Sequence, residues 1–282
     1  IKRNMAESKF YDQEISTYEQ SVLEMRSSPQ HADFIRREFL DRDFAAATER
    51  FADSEFFTEI VELITESGAH VGAHILDLGG GRGLLSYALR KKGYRVTLCE
   101  ISRSPITGLG AIDGHQLELH ATCANGEALP FPEYTFDLVI CKQMLHHTTH
   151  PRHLLAEAHR VLKAAGATIA YKEHCLPWYG GKKRFLANHE GARYGAQENA
   201  FRTITYARAF RDSGYEKVRL WDIDTIDQLR SEYLASDAKR KLIALPLVGE
   251  VLFRLAYLKY YYWRYWCSSP GQTMNFIARK SG

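Results

Sequence analysis

The stretch Val71-Gly-Ala-His-Ile-Leu-Asp77-Leu-Gly-Gly-Gly-Arg-Gly83-Leu-Leu-Ser-Tyr-Ala-Leu-Arg90 decides how this chain folds. The apolar run from Val71 to Leu76 reads as a strand, the glycines as a tight turn, and Leu84 to Arg90 as a helix. Glycines at 79, 81 and 83 allow positive φ and let a ligand come close to the main chain. The helix that follows offers unpaired N–H groups and a partial positive charge. A phosphate or a carboxylate can sit on such a turn.

Spacing narrows the ligand. The dinucleotide fingerprint needs G-x-G-x-x-G, but here the third glycine arrives one residue early, at Gly83, and Leu84 follows. Asp77 stands just ahead of the turn. An acid there repels a pyrophosphate and suits an ammonium group, directly or through water. A second acid, Glu100, ends the apolar segment Tyr94-Arg-Val-Thr-Leu-Cys-Glu100. It lies about 20 residues past the glycines, where a βαβ unit places a carboxylate for a ribose diol. Further on come Ala124-Asn-Gly-Glu-Ala-Leu-Pro-Phe-Pro132 and the strand-like Thr135-Phe-Asp-Leu-Val-Ile-Cys141. Met144-Leu-His-His147 follows, then a helical stretch from Pro151 to Leu162, the turn Lys163-Ala-Ala-Gly166 and the strand-like Ala167-Thr-Ile-Ala-Tyr171.

This order of motifs, over about residues 71 to 174, resembles the class I S-adenosylmethionine-dependent methyltransferases, especially those of ubiquinone and menaquinone biosynthesis. Asp77-Leu-Gly-Gly-Gly-Arg-Gly83 matches that family's D-x-G-x-G-x-G motif. The resemblance implies a Rossmann-like α/β fold. Its seven-stranded, mostly parallel sheet has an antiparallel last strand and helices on both faces. It also implies S-adenosyl-L-methionine as cofactor, with S-adenosyl-L-homocysteine as product. The cofactor-binding residues carried over are Asp77, Gly79, Gly80, Gly81, Gly83, Glu100, Ile101, Asn125, Gly126, Glu127 and Lys142. Asn125 replaces the family's usual aspartate, and its side-chain oxygen can still accept from the adenine amino group.

Two departures stand out. Nucleic-acid amine methyltransferases carry N-P-P-Y or D-P-P-Y after strand four, whereas this chain has Cys141-Lys-Gln-Met144. Strands six and seven, read at Val218 to Asp222 and Thr273 to Arg279, are separated by about fifty residues, about tenfold more than a hairpin loop. The expected organisation is therefore a helical N-terminal cap over 1–70 and a methyltransferase domain over 71–282. That domain carries an acceptor-loop insertion at about 175–204 and an aromatic helical insertion at about 225–272. Within the latter, residues 245–266 place Val251, Leu252, Leu255, Leu258, Tyr262 and Trp266 on one helical face. That face serves as a cap, a homodimer contact or a lipid contact. In the cap, Phe51-Ala-Asp-Ser-Glu55 supplies an N-cap for a stripe of Phe56, Phe57, Ile60, Val61 and Ile64. Tyr11, Tyr18, Arg50 and Phe51 are the cap residues within reach of a ligand.

Composition sets the bounds. Hydrophobic content of 45% and net charge of +3 suit a globular α/β protein and give no electrostatic footprint for nucleic acid. Five cysteines, odd in number and without a CxxC pair, point to reduced thiols in a cytoplasmic protein. No metal is expected from them. No uncharged apolar stretch is long enough to span a bilayer.

Methyl transfer is an in-line displacement, so the protein mainly positions a nucleophile. A hydroxyl acceptor also needs a base. His174 is the preferred base, with Glu173 as an orienter or second acid and His146 and His147 as further candidates. His189, Glu190, Arg193, Tyr194, Glu198 and Asn199 are candidates to line an acceptor pocket. The expected activity is O-methylation of a small or medium-sized metabolite such as a sugar, a natural product or a lipid-like compound. The alternatives are a protein or RNA methyltransferase docking through Lys182-Lys-Arg184, a non-catalytic cofactor-binding protein, and an enzyme using the sulfonium charge without methyl transfer.

Overall fold

A computed structural model describes residues 17–112, 119–176, 181–189, 192, 198–221 and 273–282. The insertion at 225–272, with its aromatic segment 245–266, lies outside the described residues, as do Tyr11, Glu190, Arg193, Tyr194 and Cys267. No helix among the described residues is long and apolar enough to cross a membrane.

The N-terminal segment is helical: α1 (17–27), α2 (Ala32–Arg37), α3 (Phe44–Ala52) and α4 (Glu55–Glu66). Asp43 caps α3 by accepting from the Ala46 N–H at 3.0 Å, and Ser54 caps α4 by accepting from Phe57 at 3.2 Å. Phe57, Ile60, Leu63 and Ile64 of α4 are buried, so its apolar stripe is a core face.

Strands and helices then alternate: β1 (His74–Leu78), α5 (Leu84–Lys91), β2 (Arg95–Glu100), β3 (His120–Cys123), β4 (Phe136–Lys142), α6 (Pro151–Val161) and β5 (Leu162–Leu176). After these come α7 (Lys182–Asn188), β6 (Phe201–Arg202), α8 (Thr203–Asp212), β7 (Lys217–Trp221) and β8 (Thr273–Arg279). The sheet runs β3-β2-β1-β4-β5-β8-β7, parallel except for β8, which is antiparallel to both β5 and β7. The seven expected strands are present, and the two-residue β6 joins the end of β5 as an eighth. One face of the sheet packs against α3, α4 and α5, the other against α6 and α8. Strand order reverses between β1 and β4, which opens a crevice at the carboxyl ends of the strands.

Local boundaries differ from expectation where tertiary contacts intervene. Val71 is 65% exposed and Gly72 turns at φ 90°, so β1 starts at His74. The Lys163-Ala-Ala-Gly166 turn is absorbed into β5, where Ala165 takes φ 59° and donates to the Ser281 carbonyl. The basic Lys182-Lys-Arg184 segment, expected in a loop, opens α7.

Candidate functional site

The glycine turn leaves β1 at the crevice. Gly79 sits at φ 71° and Gly81 at φ 53°, a region that side-chain-bearing residues seldom enter. A Cβ on Gly79 would lie 2.1 Å from Met144 Cγ, so the turn and the loop after β4 touch backbone to side chain. Gly83 stands one step behind, at φ 79° as the N-cap of α5, where a Cβ would press on Leu119 and Leu98 rather than on a ligand. In front of the turn lies a cavity of about 610 Å³, within the range of small-ligand sites.

Both acids flank that cavity. Asp77 is fully buried; its Oδ2 accepts from Ser86 Oγ at 2.7 Å, while Oδ1 has no hydrogen-bond partner. Burial pushes its carboxyl up to about 6, and the Ser86 bond only partly offsets this. An orphaned carboxylate oxygen on a buried residue that lines a cavity fits an ammonium donor. Glu100 accepts from the Gly81 N–H at 2.9 Å and the Ser102 N–H at 2.8 Å. Burial raises its pKa, and these N–H groups work against that rise. Glu100 therefore also pins the glycine turn, and each oxygen keeps a lone pair for a hydroxyl.

A third element straps the turn from behind. Arg82 donates to the Phe39 and Asp41 carbonyls, each at 3.1 Å, and lies over the Phe44 ring. It ties the N-terminal helices to the cavity rim, which Tyr18, Phe34 and Leu40 line. Of the other expected cap contacts, Phe51 is wholly buried in the core and Arg50 pairs with Asp41, so neither lines the cavity.

The opposite wall is made by the ends of β4 and β5. In β5, Ile169 and Tyr171 face the α4 side and Ala170 faces the α6 side. Between Ala170 and Glu173 the pairing with β8 slips by one residue, with Lys172 at φ 52°. The Asn275 side chain accepts from the Lys172 N–H at 2.7 Å and so satisfies the bulge. A one-residue slip flips the faces that follow. Glu173 is thereby turned toward the loop after β4, where it accepts from Met144 N–H (3.1 Å), His146 N–H (3.0 Å) and His146 Nδ1 (2.6 Å). Burial raises Glu173 to about 7 and holds His146 well below the usual imidazole range. With Glu173 as the acceptor, the His146 proton sits on Nδ1 and its Nε2 is a lone pair.

His174 follows Glu173 and lines the cavity with His146, His147 and His189. Burial, and next the neighbouring His146 and His189, lowers His174 to about 3, so it is neutral at physiological pH. Glu173, expected beside His174 as its orienter or second acid, stands behind the wall and orients His146 instead.

Of the residues singled out in the sequence, Asp77, Gly79, Gly80, Gly81, Glu100, Ile101, Asn125, Gly126, Glu127, Lys142, His147 and His174 line this one cavity. Asn125 Oδ1 also accepts from the Glu127 N–H at 3.0 Å. Burial lowers the pKa of Lys142, and its Nζ donates to Gln143 Oε1 at 3.0 Å. Arg82 and Phe185 carried no usable signal, because their roles come from contacts between distant segments, whereas His146, a base candidate beside His147, lines the cavity.

Residues 76–170 match the family profile described as a methyltransferase domain. Over these residues the chain is similar to methyltransferase domains. It is 33% identical over 96 residues to a ubiquinone biosynthesis O-methyltransferase of Coxiella burnetii, covering 34% of this chain and 41% of that relative. The chain thus spans about two-fifths of that relative's length. It is 29% identical over 183 residues to a ubiquinone/menaquinone biosynthesis C-methyltransferase of Bordetella parapertussis, covering 57% of this chain and 70% of the relative. The fold is shared with phosphoethanolamine N-methyltransferase 2 of Haemonchus contortus in complex with S-adenosyl-L-methionine. That similarity has a TM-score of 0.54 at 14% identity and covers 87% of this chain and 60% of the other.

Proposed function

We propose that this protein binds S-adenosyl-L-methionine at the glycine turn and transfers its methyl group to an oxygen atom of a small or medium-sized metabolite. The observation that carries the reading is that Asp77, whose buried Oδ1 has no hydrogen-bond partner, lines the cavity together with Glu100. One carboxylate suits the amino group of the methionine moiety and the other the ribose hydroxyls. Asn125 and the backbone near Gly126 and Glu127 are assigned to the adenine, and Lys142 to the methionine end. When bound, the sulfonium supplies an already activated methyl group. The relatives' names divide between oxygen and carbon as the accepting atom. Oxygen is favoured here because neutral imidazoles line the acceptor wall. In the transfer, a hydroxyl lone pair forms the new C–O bond, the C–S bonding pair stays on sulfur, and His174 takes the hydroxyl proton. The cavity volume of about 610 Å³ favours a small acceptor over a macromolecule. Calorimetric titration with S-adenosyl-L-homocysteine tests the binding, and release of that product from S-adenosyl-L-methionine with candidate hydroxyl compounds tests the transfer.

Two expected outcomes follow from the geometry. His174→Ala lowers turnover by about 10²–10⁴-fold, the usual share of a positioned base, and leaves affinity for S-adenosyl-L-homocysteine nearly unchanged. An unchanged rate removes the residue from the chemistry.

The second concerns pH. The carboxyl of Asp77 is raised to about 6 by burial. Folding therefore favours its protonated form, and the stability this gives is lost as pH rises through that value. An ammonium ligand needs the ionised form. Affinity should fall about tenfold per pH unit below about 6. In Asp77→Asn it should be weaker and flat over that range, and the same slope in both proteins would assign the ammonium to another group.

A further inference from the structure

One wall of the cavity holds a cluster of which methyl transfer by itself requires only His174. His146 and His174 each bring one imidazole nitrogen and Glu198 one carboxylate oxygen, and the three atoms lie within 4.8 Å of one another. His146 Nε2 and Glu198 Oε2 are 3.7 Å apart. Ligand atoms bound at about 2.0–2.2 Å to one tetrahedral ion stand about 3.4 Å from each other. One pair is close to that spacing, and the third ligand, within 4.8 Å of both, needs a closure of at most about 1.4 Å.

The electron pairs also face the wrong way for hydrogen bonding. His146 Nε2 carries a lone pair because its Nδ1–H donates to Glu173, and Glu198 offers only acceptors. Glu198 Oε2 and the Nδ1 atoms of His174 and His189 are buried without a hydrogen-bond partner. Unpaired buried polar atoms are costly one at a time. With His174 donating its Nε2–H to His189, the Nδ1 lone pair of His174 and Glu198 Oε2 stand beside the lone pair of His146 Nε2 and call for a shared electron-pair acceptor. The carboxylate behind His146 completes the arrangement, since a metal-bound imidazole characteristically donates its other N–H to a carboxylate. His189 lies against His174, with 3.2 Å between their Nε2 atoms, and Phe185 packs over both rings.

We propose that His146, His174 and Glu198 bind one divalent transition-metal cation, zinc or a chemically similar ion, at the acceptor end of the cavity. Two imidazoles and one carboxylate select such ions over magnesium. No metal was expected from the sequence, because the thiols are scattered. The three ligands come instead from the loop after β4, the end of β5 and the segment before β6. Binding does not depend on the methyl-transfer reading, but its chemical consequence does. A coordinated hydroxyl is acidified as metal-bound water is. The lone pair of His174 then belongs to the cation, so the roles of ligand and free base are separable by metal titration.

The test uses the full chain after chelator treatment, titrated calorimetrically with Zn²⁺ and with Mg²⁺, and with Co²⁺ followed by visible absorption. One equivalent of Zn²⁺ is expected to bind, Co²⁺ to develop d–d bands, and Mg²⁺ to give little heat. Glu198→Gln and His174→Ala should each lose more Zn²⁺ affinity than the about 10–100-fold of an outer-shell loss. Absence of Zn²⁺ heat and Co²⁺ bands overturns the site. Equal affinity in both variants also overturns it, and would place the ion on exposed groups such as His150 and His153. S-adenosyl-L-homocysteine titrated into the same metal-free protein keeps the two readings apart. Heat with the nucleoside but not with metal removes only the metal site, and the reverse removes only the methyltransferase reading.

Discussion

Gly81→Val is expected to abolish binding of S-adenosyl-L-homocysteine, a loss of at least about 10³-fold, or about 4 kcal/mol, while the protein stays folded. Three effects act together at this position. The residue sits at φ 53°, where a β-branched side chain is a genuine outlier. A Cβ there lies 3.2 Å from the Thr107 carbonyl, and the further methyl groups occupy the space where a ligand meets the turn. The Gly81 N–H is also one of the backbone donors that hold Glu100, so distortion of the turn reaches the ribose site. The fold is spared because Gly81 is at the cavity surface and not in either core cluster. Gly80→Ala is the useful contrast. Its Cβ would lie 2.5 Å from Asp77 Oδ2 and 2.4 Å from Leu98 Cδ1, so stability should fall along with affinity. Calorimetry and thermal unfolding monitored by circular dichroism read the two effects separately. Wild-type affinity in Gly81→Val would place the cofactor elsewhere.

Glu100→Ala is expected to weaken the same ligand by about 10²-fold or more. Two backbone donors, from Gly81 and Ser102, lose a charged acceptor together with the ligand's hydroxyls. Hydrogen bonds to charged groups contribute about 1.5–3 kcal/mol each, so about 3 kcal/mol of binding is a conservative figure. Glu100→Gln keeps the shape and one acceptor oxygen, and turns an N–H toward a backbone N–H. It should fall between the two. The dual role separates this carboxylate from a surface acid at a strand end, whose loss changes little. If Glu100→Ala binds within about twofold of wild type, the ribose lies on other residues.

The frame of this protein was legible along the chain because it is written in local patterns. The glycines of 79–83, the apolar strands on either side of them and an acid at Glu100 are linked by the short, fixed spacings of a βαβ unit. Those spacings are set by backbone geometry that neighbouring residues determine. The N-cap of α4 at Ser54 and the bounds of β8 were readable for the same reason. The acceptor wall was not. The sequence shows Lys172-Glu-His174 as consecutive residues and cannot say which of them faces the cavity. That depends on one extra residue in the pairing of β5 with β8, about a hundred positions away, which turns Glu173 away from α4 and onto His146. Arg82, set between the glycines of the turn, reaches back to the carbonyls of Phe39 and Asp41, which no local pattern announces. Local propensity specified the strands, the turn and the order of elements. Register between distant strands, which only the packed sheet determines, decided which polar groups converge and hence what the cavity can bind.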